Sequence, residues 1–116
     1  MNGMNMFTRI MPALKVSDLS ISVNWYIQML GFEVAWETPE TCMMESGDLA
    51  LLLSTGKHLG EKPTLSGVLF FEMDGVRDLY ERIGDVVEIA WPLKTTLEFG
   101  IRDPDGYTLA FSQEAG

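Results

Sequence analysis

This 116-residue chain has one cysteine, Cys42, and one histidine, His58. A single thiol excludes an internal disulfide and a cysteine-rich zinc site. A reducing cytoplasm is the expected compartment. Eight Lys and Arg stand against 17 Asp and Glu, a formal net charge of −9. That balance disfavours a nucleic-acid partner, whose phosphates need cationic neutralisation. It suits a solvated surface and can attract a cation. No apolar run approaches the roughly 18 residues of a membrane span. The start, MNGMNMFTRIM, shows no signal-peptide pattern, so no membrane partner is expected.

What the chain does have is one pattern written twice. RIMPALKV at 9–16 is strand-like, and Ser17-Asp18 offers helix N-cap oxygens. Val23, Tyr26, Ile27 and Leu30 form one apolar helix stripe, followed by Gly31. Phe32, Val34 and Trp36 then alternate with Glu33, Ala35 and Glu37 in strand period. Two short strands fit 41–45 and 49–54 around a Ser46-Gly47-Asp48 turn. SGVLFFEM at 66–73 restarts the order, with Asp74 available to cap a helix. Val76, Leu79, Tyr80 and Ile83 repeat the stripe, Gly84 ends it, and Val86, Val87 and Ile89 resume strand character. Strands near 97–102 and 107–112 flank an Asp103-Pro104-Asp105-Gly106 turn.

The stripes and their glycines align at one constant spacing: 23→76, 26→79, 27→80, 30→83 and 31→84. This points to an internal repeat. Module 1 is expected at about 9–54 and module 2 at about 66–113. Helices are expected over about 18–30 and 75–83. The Gly-, Lys- and Pro-bearing segment 55–65 is the expected linker. Neither half can bury its helix face well alone, so one domain over 1–116 is expected.

MPALKVSDLSISVNWYIQMLGFEVAWE at 11–37 and EFGIRDPDGYTLAFSQ at 98–113 resemble the vicinal oxygen chelate superfamily. That superfamily takes in glyoxalases, bleomycin-resistance proteins and extradiol dioxygenases. GDLALLLS at 47–54 is a weaker third likeness. The resemblance implies an α+β fold of two βαβββ modules with pseudo-twofold symmetry. Its curved mixed β-sheets would carry helices on the convex side, around a concave site usually shared in a homodimer. Metal enzymes of the superfamily place a ligand on each of four strands. Here the matching positions are Met11, Leu51 or Leu52, Val68 and Ala110. None binds a hard or borderline divalent ion, so no metal or other cofactor is expected.

Other chemistry is thin. Cys42 reads as a small buried residue, His58 as a solvated loop residue, and Asp103 and Asp105 as turn formers. Strand alternation groups Met11, Ala13 and Lys15 on one face, as it does Val68, Phe70 and Glu72, and Thr108, Ala110 and Ser112. Leu14, Val16, Leu69, Phe71, Leu109 and Phe111 fall beneath the helices. Trp36, Trp91 and Phe99 add flat surfaces, and Met43 and Met44 add adaptable ones. Trp36 and Phe99 read as core or interface residues ahead of pocket residues, whereas for Trp91, just before Pro92, binding and packing weigh about evenly. Met11, Trp36, Met44, Leu52, Phe70, Trp91, Glu98, Arg102 and Ala110 are the candidate ligand-binding residues. Pro12 followed by Ala13-Leu14 is similar to the metal-free bleomycin-resistance branch. That likeness implies antibiotic resistance by sequestration of an aromatic or apolar compound, a cation included, rather than catalysis. An enzyme with a non-standard site and an interaction module with a vestigial cavity are the alternatives.

Overall fold

The computed structural model describes residues 6–64 and 66–114. The chain divides after Gly60 into two compact units. Module 1 contains β1 (Ala13–Lys15), α1 (Leu19–Leu30), β2 (Glu33–Glu37), β3 (Thr41–Ser46) and β4 (Leu49–Ser54), then a short 3₁₀ turn at Lys57–Leu59. Module 2 contains β5 (Val68–Glu72), α2 (Val76–Ile83), β6 (Glu88–Trp91), β7 (Glu98–Arg102) and β8 (Thr108–Ser112).

The sheet orders are β1-β4-β3-β2 and β5-β8-β7-β6. In each, the strand before the helix runs parallel to the last strand, and the other pairings are antiparallel. The fold is therefore α+β, a βαβββ unit occurring twice. The first strand is shorter than the expected 9–16 stretch.

The helices follow from their stripes. Val23 and Tyr26 are buried on α1; Val76, Leu79 and Ile83 are buried on α2. Val23 and Val76 stand equally far along the chain from Gly31 and Gly84. α2 has 8 residues and α1 has 12. The difference is about one helical turn, so the apolar face keeps its direction.

The caps differ. Asp18 accepts from the Ile21 N–H at 3.0 Å, and α1 ends on Gly31 at φ 71, where a left-handed residue is needed. Asp74 does not cap α2. The N-cap is Gly75, and the Gln113 side-chain oxygen accepts from the Gly75 and Val76 N–H groups at 3.1 Å each. Gln113 follows β8, the parallel neighbour of β5, and so reaches the same end of the sheet as the β5–α2 turn. Asp74 lies one residue too early.

Register defines two faces per sheet. In module 2, Phe71, Phe111 and Phe99 form one row, and Tyr80 of α2 packs edge-on against Phe99 at 5.0 Å. This is the helix side. The next row, Phe70–Ala110–Gly100–Trp91, lies on the opposite, open face. Module 1 repeats the plan with Leu14–Leu53–Cys42 buried on one side and Ala13–Leu52–Met43–Trp36 on the other.

Each outer strand carries a β-bulge, between Val34 and Trp36 in β2 and between Ile89 and Trp91 in β6. Simple alternation would put Val34 and Trp36 on one face. The extra residue instead pairs Val34 with Met44 and Trp36 with Met43, on opposite faces.

Candidate functional site

The four positions where the fold's metal enzymes hold ligands can be placed on these sheets. Leu52 pairs with Ala13 and Met43, just as Ala110 pairs with Phe70 and Gly100. Leu52 is thus the open-face residue, whereas Leu51 is buried in register with Met44. Met11 precedes β1, and Val68 opens β5. None of these side chains carries a donor for a first-row divalent ion. Among the described residues no group of three His, Cys, Asp or Glu could hold a metal. The residues present do not fit the metal of the fold's enzymes.

The remaining reactive groups are accounted for structurally. Cys42 is fully buried, its Sγ 3.3 Å from Met44 Sδ. Burial first, and the Glu37 charge second, push its thiol up from 9.0 to about 11. It is a neutral thiol at physiological pH, not a nucleophile. Asp103 accepts from the Asp105 and Tyr107 N–H groups at 2.9 and 3.0 Å, fixing the turn that Gly106 completes at φ 89. His58 is exposed.

Module 2 contributes most of the candidate residues to one face. Phe70, Ala110 and Trp91 share the central row with Gly100. Arg102 and Glu98 lie on the same face, one step to either side of Gly100 along β7. Phe70 is 65% exposed. A Cβ added to Gly100 would sit 2.7 Å from Cδ2 and Cε2 of Trp91, so the indole lies against bare backbone. The Trp91 Nε1–H donates to Glu98 Oε2 at 3.0 Å, satisfying the ring's one polar group. Lys94 Nζ stands 5.7 Å from the ring centroid and 3.8 Å from Glu98 Oε2. On the other flank Arg102 pairs with Glu88 at 3.2 Å.

Module 1 places Trp36 and Leu52 on its open face, with Met11 two residues before Ala13 on the same alternation. Trp36 is 47% exposed. Met44 is a correction. It is fully buried on the helix side, paired with Leu51 and Val34, and Met43 takes the open-face position. The candidate set also omitted Gly100 and Lys94. A glycine inside an apolar strand, Phe99-Gly100-Ile101, was the available signal for a close approach. Nothing in the sequence ties Lys94 to Trp91.

Two shallow polar depressions lie away from these rows. One, of 240 Å³, is lined by Gly31, Glu33, Glu45, Ser46 and Gly47. The other, of 250 Å³, is lined by Glu72, Met73, Asp74 and Glu114. No helix among the described residues is long and apolar enough to cross a membrane.

Residues 7–111 match the profile of the family described as the Glyoxalase/Bleomycin resistance protein/Dioxygenase superfamily. No curated protein matches the chain. Among solved structures, the bleomycin-binding protein of bleomycin-producing Streptomyces verticillus, complexed with copper(II)-bleomycin, is similar with a TM-score of 0.70. Identity is 20%, over 97% of this chain and 100% of that one. TnmS3, an antibiotic binding protein from Streptomyces sp. CB03234, gives a TM-score of 0.76 at 18% identity, over 96% and 99% of the chains. Lactoylglutathione lyase from Agrobacterium tumefaciens gives 0.73 at 18%, over 91% and 92%. At such identities the likeness is one of fold, shared by binding proteins and a lyase alike.

Proposed function

This chain belongs to the glyoxalase/bleomycin resistance protein/dioxygenase superfamily, and we propose that it is a metal-free binding protein that sequesters an aromatic or apolar small molecule. The observation that carries the reading is the Trp91 platform. A large flat ring is seated on Gly100 and tied by its N–H to Glu98 on a sheet face whose neighbours are Phe70 and Ala110. Such a surface stacks a planar ligand. Antibiotic-binding neighbours of the same fold, at 18–20% identity, support the class of function.

The exposed apolar side chains Val68, Phe70 and Trp36 support a second copy covering these faces, since wet apolar faces of this kind mark interaction sites. On this reading the protein is a cytoplasmic homodimer that confers resistance by holding a toxic compound. The net charge of −9 leaves a cationic compound within the class.

Native mass spectrometry of the purified protein tests this. The expected result is a dimer carrying a small organic adduct that is released on denaturation, with no transition metal. Stoichiometric zinc, nickel, iron or manganese would overturn the metal-free reading. A monomer across the micromolar range would overturn the homodimer.

A further inference from the structure

The turn between β6 and β7 places a positive charge on the platform. Lys94 N–H donates to the Glu98 carbonyl and Leu97 N–H donates to the Lys94 carbonyl, both at 2.9 Å, closing a tight four-residue turn. Leu97 sits at φ 60, the one non-glycine residue with positive φ among those described. A bulky side chain in that region is strained, and strain of this kind persists only where surroundings over-determine it. Here the Leu97 carbonyl is also held by the Gln113 N–H at 3.1 Å. The turn carries the Lys94 ammonium back over the Trp91 ring. Glu98 then holds the indole N–H and the ammonium with the same carboxylate oxygen.

The indole rests on Gly100, and the Lys94 ammonium stands 5.7 Å from its ring centroid. An organic cation stacking there would have to displace Lys94 from its cation–π contact or accept like-charge repulsion. An acidic group on the ligand would meet the ammonium directly. The overall charge of −9 does not describe this spot. Its two cations, Lys94 and Arg102, are matched by Glu98 and Glu88.

We propose that Lys94 is a specificity-determining residue of the Trp91 platform, selecting planar aromatic compounds that carry an acidic group over aromatic cations. The proposal rests on the binding function argued above and narrows its ligand class.

The test titrates the protein with three probes of one ring system: 2-naphthoate, 2-naphthalenemethanol and 2-naphthylmethylammonium. Affinities are read by calorimetry for the wild type, Lys94→Gln and Trp91→Ala. The wild type should prefer 2-naphthoate to the cation by roughly tenfold, the scale of a part-buried charge contact. Lys94→Gln should bring the two within about threefold. Trp91→Ala should weaken all three. Equal binding of anion and cation by the wild type, or a preference that survives Lys94→Gln, would overturn the role of Lys94 alone. Failure of all three probes to bind the wild type would overturn the platform reading and this inference with it.

Discussion

Where module 2 sets a glycine beside its bulge tryptophan, module 1 sets a methionine. Both open faces carry a four-residue row ending in a tryptophan just past a β-bulge, Ala13–Leu52–Met43–Trp36 and Phe70–Ala110–Gly100–Trp91. Bulk is distributed oppositely. Module 1 fills the middle of its row with Leu52 and Met43; module 2 leaves the middle to Ala110 and Gly100 and puts Phe70 at the far end. With no Cβ on Gly100, the Trp91 ring beds on backbone, whereas Trp36 stays 47% exposed. The same topology thus seats a tryptophan on bare backbone in one module and sets methionine and leucine side chains beside it in the other. The bulge sets which way the tryptophan points, and the size of its cross-strand neighbour sets whether the ring can lie down.

The helix sides differ too, and that difference should give the largest effects. Phe99 is fully buried between Tyr80 and Phe111, with ring centroids at 5.0 and 5.2 Å. Met44, on the helix side of module 1, is equally buried but flexible. Phe99→Ala should lower unfolding free energy by about 3–5 kcal/mol and Met44→Leu by under ~1.5 kcal/mol in urea denaturation. A costlier Met44→Leu would mean that module 1 has the tighter core.

Gly100→Ala strikes the open-face contrast itself. The new methyl carbon would lie 2.7 Å from indole carbons, so Trp91 must lift or the strand must shift. A loss of about 1–3 kcal/mol is expected, with altered tryptophan fluorescence. Unchanged stability and emission would show that the ring does not rest on residue 100.

The smallest effects concern the caps. Asp18→Ala should cost about 1 kcal/mol, because the Ile21 N–H loses its acceptor. Gln113→Ala should cost about as much, leaving the Gly75 and Val76 N–H groups to water, whereas Asp74→Ala should stay within about 0.5 kcal/mol. Thermal unfolding of the three variants separates a local cap from one delivered by the neighbouring strand.

Much of the fold was legible because its signals are local. The two stripes, the glycines behind them and the Asp103–Gly106 turn depend on residues within a few positions of one another. The faces of β1, β5 and β8 followed from alternation: Leu14, Leu109 and Phe111 are buried, while Ala13, Val68 and Phe70 are exposed. What could not be read depends on pairing between strands. The 23→76 spacing would align Trp36 with Ile89, yet the bulges make Trp36 and Trp91 counterparts. Which of Met43 and Met44 reaches the open face depends on register, because a slip of one residue exchanges the two faces. Gln113 as a cap and Gly100 as the bed of Trp91 each require knowing which neighbouring strand a residue lies beside. For the metal positions, residue identity sufficed to remove the ligands, and register was needed only to choose Leu52 over Leu51.

The central claim is that module 2, through Trp91, provides the aromatic platform and that module 1 does not provide an equivalent one. The chain has three tryptophans, Trp25 on α1 and one at each bulge. Their indole N–H signals in a ¹⁵N-resolved NMR spectrum report on the two modules at once. During titration with 2-naphthalenemethanol, the Trp91 signal, identified by its loss in Trp91→Phe, should shift progressively and saturate, while those of Trp25 and Trp36 move little. Saturating shifts at Trp36 with a stationary Trp91 would contradict the account.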